Sequence, residues 1–240
     1  MQQQNKPHLA YILPNLFTAA SCFCGVVSII SSFNASYKNA LFYIFLALIF
    51  DGLDGRVARL TKTTSKFGVE FDSLADLVAF GVAPAVFFYI SLGYEYGKIG
   101  SLACGFFVVF GAIRLARFNV TTGTYEPSVF IGLPIPTAAI VSAIYTYAYV
   151  SYDFFVGFEL VFLILQLILA FLMVSNIRYP SFKKIYLSRA NMLKVLVLLI
   201  LAFSLLYIYT IESILITISI YVLYGLLRAT WTLCVKKFKI

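Results

Sequence analysis

Charge is scarce in this chain. Only 12% of its 240 residues are Asp, Glu, Lys or Arg, whereas 62% are hydrophobic. That composition excludes an ordinary soluble domain and implies a polytopic membrane protein. Histidine is almost absent. The lone His8 stands near the N-terminus and is expected to be solvated, which excludes a His-rich metal centre and a Ser–His–Asp machine. There are four cysteines, and Cys22-Phe-Cys24 has no nearby His or acidic partner. Three of the four lie in apolar runs, where Cys behaves as a small hydrophobe, so neither a disulfide nor a Cys-based metal site is expected. Internal repeats and low-complexity linkers are also missing. The opening MQQQNKPHLAYILPNLFTAAS carries one Lys, and its apolar stretch runs past residue 30. It does not read as a cleaved signal peptide, so the first helix is expected to be retained.

Long apolar runs are what the chain has instead. Runs of spanning length occur near 13–33, 39–58, 71–92, 99–118, 132–150, 156–175, 191–209 and 213–232. They predict an all-α polytopic membrane protein with about eight transmembrane helices in a single integral domain, 1–240. Little more than Ile211 and Glu212 separates the last two runs, which implies a long helical hairpin. With a cytoplasmic N-terminus, the outer loops hold only Lys38 and Lys98, leaving 16 of the 18 basic residues at cytoplasmic ends. The positive-inside rule then places both termini on the cytoplasmic side of the cell (inner) membrane. The net charge of +8 is mostly this topology signal, and it also draws anionic headgroups. No nucleic-acid partner is expected, because the basic residues flank spans.

Acidic residues are rarer still, and they are concentrated. Five of the ten (Asp51, Asp54, Glu70, Asp72 and Asp76) fall within DGLDGRVARLTKTTSKFGVEFDSLAD, between two hydrocarbon-like runs. A carboxylate at the centre of a membrane helix costs roughly 2.5–3.5 kcal/mol, so a cluster of them is a functional site by default. Asp51 and Asp54 are three apart and Asp72 and Asp76 four apart, so each pair shares one helix face. Between them lies a polar, basic bend ending in Gly68. Two antiparallel helices are predicted, with the Asp pairs facing each other across that cytoplasmic bend. Four carboxylates form a hard-oxygen cage suited to Mg²⁺ or Mn²⁺. A pair of such ions is the usual arrangement for displacement at phosphate. Gly55 and Gly68 permit close backbone approach to a ligand, and Arg59 offers a fork for phosphate. With no second His, a general base here has to be a carboxylate.

Other segments admit two readings each. Pro14, Asn15 and Thr18 open the first span, either as N-terminal capping or as a pocket border. Glu70 is a solvated first-turn acid or a contact for a cationic group of a ligand. Arg114 and Arg117, three apart on one face, are a positive-inside cap or an anion clamp at the mouth of the Asp site. Gly132, Pro134 and Pro136 break backbone regularity in a membrane segment, which is tolerated beside a cavity or a packed neighbour. Arg178, Lys183 and Lys184 are interfacial anchors or a phosphate patch.

The pattern D-x2-D-G-x2-A-R-x8-G-x3-D-x3-D resembles the signature of the CDP-alcohol phosphotransferase family at every fixed position: Asp51, Asp54, Gly55, Ala58, Arg59, Gly68, Asp72 and Asp76. RLARFN at 114–119, FIGLPIPTAA at 130–139 and IRYPSFK at 177–183 resemble the serine-accepting branch, the membrane-integral phosphatidylserine synthases. The likeness covers most of residues 11–185. It implies a six-helix catalytic core within 1–185 and two accessory C-terminal helices within 186–240. It also implies phosphatidyl transfer from CDP-diacylglycerol to L-serine with two divalent cations, Mg²⁺ or Mn²⁺, and a homodimer in the bilayer. By that correspondence Asp51, Asp54, Asp72 and Asp76 surround the metals, and Asp76 is also the base. Asn15, Thr18, Gly55, Ala58, Arg59 and Gly68 border the nucleotide. Glu70, Arg114, Arg117, Asn119 and Arg178 serve the acceptor or its phosphate. The alternatives are the same chemistry with glycerol 3-phosphate, inositol phosphate or choline, or a non-enzymatic ion transporter. A transporter needs no Gly and Arg at fixed spacing, and the inverted repeats that many transporters carry are not found.

Overall fold

A computed structural model describes residues 9–61, 63, 65–121 and 129–180, together with 212–213, 215–217, 219–220 and 223–224. Helix α1 runs Leu9–Phe33, α2 Tyr37–Thr61, α3 Lys66–Asp76, α4 Ala83–Ser91, α5 Gly97–Thr121, α6 Ile135–Ser151 and α7 Glu159–Val174. A π-helical segment, Leu77–Val82, joins α3 to α4, so Lys66–Ser91 forms one long span. Among the described residues, Ile12–Phe33, Lys66–Ser91 and Gly93–Thr121 are long and apolar enough to cross a membrane, and α6 and α7 are shorter apolar helices. The six predicted spans from 13–33 to 156–175 are helical. The last two lie outside the described residues, apart from a few helical positions between 212 and 224. Two of those reach α6 and its C-cap: Tyr152, the C-cap, donates to Glu212 at 2.6 Å, and Tyr145 pairs with Ser219 at 2.5 Å.

Small residues explain how α1 sits against its neighbours. Thr18, Ser21, Gly25, Ser28 and Ser32 recur at alternating spacings of three and four, which puts them on one face of α1. Ser21 donates to the Ala47 carbonyl at 3.1 Å and Ser28 to the Ala40 carbonyl at 2.8 Å. In a bilayer, lipid is as apolar as a buried leucine, so close approach and interhelical hydroxyl bonds replace hydrophobic burial as the driving force. Each such bond contributes about 0.6 kcal/mol.

Three local features depart from the sequence expectations. Pro14 lies inside α1, which starts at Leu9, rather than opening it. Pro14 falls in the second turn, where its missing N–H removes one helical hydrogen bond, the one to the Ala10 carbonyl. The π segment was not foreseen. Pro84 has no N–H and its ring crowds the carbonyl four residues back, that of Phe80, so the turn widens. Ala83 N–H consequently reaches five residues back, to the Val78 carbonyl. The third feature is an antiparallel ribbon, β1 (Val129–Ile131) with β2 (Arg178–Pro180), in an otherwise helical fold. Tyr179 anchors it, fully buried in the core with Leu133, Ile135, Leu169 and Met173.

Candidate active site

The polar bend is closed by its own residues. α2 ends where Thr63 N–H turns back to the Ala58 carbonyl at 3.0 Å. α3 starts at an N-cap, Ser65, whose extended backbone lets its hydroxyl accept the Gly68 N–H at 3.0 Å. That start is two residues ahead of the predicted Gly68. A Cβ on Gly68 would lie 3.2 Å from both Asn15 Oδ1 and Ser65 Oγ, so glycine here keeps α1 close to the bend.

The bend brings the two Asp pairs together. Asp51 lies close enough to Asp76, and Asp54 to Asp72, for the carboxyl groups of each pair to act on one another. Carboxylate oxygens of Asp51, Asp72 and Asp76 lie within 4.8 Å of one another. Asp54 is held to one side, where Thr18 donates to its Oδ2 at 2.7 Å. Asp54, Asp76 and Thr18 are buried. Asp72 Oδ1 is buried with no hydrogen-bond partner. Like charges this close in a low-dielectric setting repel strongly. An orphaned carboxylate oxygen among them is the feature a cation would relieve. The donor set is all hard oxygen, which suits Mg²⁺ or Mn²⁺ rather than a thiophilic metal.

Beside the carboxylates opens a pocket of about 140 Å³. All six residues predicted to border the nucleotide line it: Asn15, Thr18, Gly55, Ala58, Arg59 and Gly68. Asp54 and Asp72 form the wall shared with the acidic cluster, and Pro14, which opens the predicted pocket border, lines the pocket with Thr63, Ser65 and Val69, the last three completing the rim. Arg59 folds over Gly55: a Cβ on that glycine would sit 3.4 Å from an Arg59 guanidinium nitrogen. These rim residues carried no family signal, although the N-cap pattern at Ser65 was readable.

The structure separates the two arginines expected to act as a clamp. Arg114 is buried, lies 5.5 Å from the Phe118 ring centre, and is close enough for its charge to act on Asp76 and Asp51. Arg117 points elsewhere. Its guanidinium donates to the carbonyls of Ile131, Met173, Val174 and Ser175 at 3.0–3.3 Å and to Asn176 Oδ1 at 3.4 Å. The reason is the C-terminus of α7, whose last carbonyls have no intrahelical donor and carry the negative end of the dipole. Gly132 (φ +77°) makes room, since a Cβ there would fall 2.8 Å from an Arg117 nitrogen and 2.4 Å from the Met173 carbonyl oxygen. Replacing Arg117 by Ala is therefore expected to cost roughly 2–4 kcal/mol of stability, read as a lower unfolding midpoint in detergent. A selective loss of acceptor affinity at unchanged stability would restore the clamp.

The remaining candidates divide. Asn119 donates to Ser73 Oγ at 2.9 Å and so ties α5 to the α3 turn that carries Asp72 and Asp76. Glu70 is exposed and lines neither the pocket nor the cluster. The backbone of Arg178 pairs with Ile131 in the ribbon. Its side chain, together with His8, Lys183 and Lys184, lies outside the described residues.

Residues 11–175 match the CDP-alcohol phosphatidyltransferase family. The chain belongs to that family. It is 48% identical over 219 residues to a CDP-diacylglycerol–serine O-phosphatidyltransferase of Helicobacter pylori, covering 91% of each chain. A Bacillus subtilis protein of the same name is 34% identical, covering 72% of this chain and 92% of its own. An archaetidylserine synthase of Methanothermobacter thermautotrophicus is 38% identical over 70% of this chain and 69% of its own. The family match spans the four carboxylates and the adjoining pocket, and this CDP-alcohol phosphatidyltransferase is a multi-pass membrane protein.

Proposed function

We propose that the chain moves the phosphatidyl group of CDP-diacylglycerol onto the hydroxyl of L-serine, giving phosphatidylserine and CMP. The observation that carries this is the cluster of Asp51, Asp72 and Asp76, which meets at Asp72 the pocket lined by Asn15, Asp54, Gly55, Arg59 and Gly68, in a chain so similar to serine phosphatidyltransferases. In this reading the pocket holds the nucleotide end, with Arg59 on phosphate. The serine hydroxyl oxygen attacks the lipid-side phosphorus, that O–P bond forms, and the P–O bond to CMP breaks. Asp76 takes the hydroxyl proton. Asp51, Asp54 and Asp72, with Asp76, hold two divalent cations, Mg²⁺ or Mn²⁺, and Thr18 fixes the Asp54 carboxylate. When bound, such cations supply Lewis-acid neutralisation of charge on the phosphates. Arg114 is the cation best placed to meet the carboxylate of serine, because a guanidinium fork matches it bidentately.

In the same reading the site opens to the cytoplasmic face of the inner membrane. Eight helices form one domain over 1–240, with 186–240 as an accessory hairpin, and two copies associate. The test is CMP release by purified protein in detergent with CDP-diacylglycerol and Mg²⁺ or Mn²⁺, across a panel of alcohols. Release only with serine is the expected outcome. Release with glycerol 3-phosphate, inositol phosphate or choline instead would keep the family chemistry and overturn the acceptor. No release from folded protein with any acceptor would overturn the enzyme reading.

A further inference from the structure

Gly25 touches none of the residues assigned above, yet it sits where α1 meets the segment carrying Asp76. A Cβ on Gly25 would lie 2.7 Å from Ala79 Cα, 3.1 Å from Ala79 N and 3.2 Å from Ala79 Cβ. The first two are backbone atoms, so no side-chain rotation relieves the clash. Ala79 is fully buried and belongs to the π segment that begins directly after Asp76.

That segment continues the span that carries Asp76, so a shift of its backbone displaces Asp76 as well. On a regular α-helix Phe80, four residues on, would stack over the Asp76 face. A π turn adds a residue and rotates everything after it by about 100°, one residue's step in the 3.6-residue α-helical turn. Phe80 is buried in the apolar core cluster, while Asp76 faces Asp51. The widened turn therefore re-aims the residues of α4 relative to Asp76, and α1 bears on its backbone at Gly25. The same face of α1 carries Thr18, which fixes Asp54 at 2.7 Å. One helix therefore contacts the supports of both carboxylate pairs, two turns apart.

We propose that Gly25 is a positioning residue for the acidic site: its missing side chain lets α1 seat against the π segment, and this sets how closely Asp76 meets Asp51. The inference rests on the metal-binding reading of the Asp cluster. Its test is direct Mn²⁺ titration of the full-length protein in detergent, followed by electron paramagnetic resonance or calorimetry, alongside CMP release. For Gly25→Ala, Mn²⁺ affinity is expected to be roughly 10–100-fold weaker, the range seen when groups supporting metal ligands are removed. The rate should fall by about 100-fold, with part of it restored by excess Mn²⁺. Gly105→Ala is the control, since a Cβ there meets nothing within 4 Å. Ala79→Val crowds the same contact from the other side and should reproduce the weakened binding. Folded Gly25→Ala protein with wild-type Mn²⁺ affinity would overturn the proposal while leaving the metal reading intact. So would loss of folded protein in both crowding variants when Gly105→Ala folds, because the contact would then be purely structural. Absence of Mn²⁺ binding by the unaltered chain would overturn the metal reading and this inference with it.

Discussion

Asp76→Asn is expected to lower the rate of CMP release by about 10³–10⁴-fold while leaving CDP-diacylglycerol binding within a few-fold of normal. Asn keeps the size of the side chain and its hydrogen-bonding reach toward Asp51. It cannot accept a proton, and that is the property the reaction requires. The nucleotide pocket is lined by Asp54 and Asp72 and not by Asp76, so binding at that end should survive. Stability should move the opposite way to activity. Asp76 is buried beside like charges, and removing one of several repelling carboxylates relieves the metal-free fold. The unfolding midpoint in chelator should therefore be no lower than that of the unaltered chain, a trade of stability against function seen in other active sites. Single-turnover CMP release and thermal unfolding on the same preparation would measure both. A near-normal rate would remove Asp76 as the base.

Chelation of divalent cations should stop CMP release completely, with recovery on adding Mg²⁺ or Mn²⁺. The same manipulation should shift stability. A cation that binds the folded site and not the unfolded chain adds about 2.7 kcal/mol when present at 100 times its dissociation constant. Asp72 Oδ1, buried and unpartnered, is the clearest structural reason to expect that gain. Binding requires ionised carboxylates, so apparent cation affinity should weaken as pH is lowered. Turnover by rigorously metal-free protein would sink the cation mechanism, and an unfolding midpoint indifferent to Mn²⁺ would argue that the cluster holds no cation.

Much of the site was legible because it is local. Asp51, Asp54, Asp72 and Asp76 lie within one helix–bend–helix unit, and spacings of three and four assign a helix face without any tertiary information. The spans were legible for a related reason. Lipid cannot hydrogen-bond the backbone, so a long apolar run has little choice but to be helical. The bend was readable too, although its N-cap at Ser65 and not Gly68 marks where α3 begins.

What escaped depends on which distant segment lies alongside. Arg114 and Arg117 share a helix face by spacing, yet Arg114 lies near Asp76 and Arg117 binds the end of α7. Only the approach of α7 and the β1–β2 ribbon decides that. On α1, Ser21, Gly25 and Ser28 carried no signal in the sequence; their roles follow from α2 and the π segment packed against them. Pro84 could announce a disturbed turn, but not that α1 would bear on that turn at Gly25. Carboxylates that cost free energy in a bilayer declare themselves by composition, because the cost belongs to each residue and its neighbours in the chain. Contacts between helices carry no such local penalty, so the partners of Arg117 and Gly25 were settled only when the bundle closed around them.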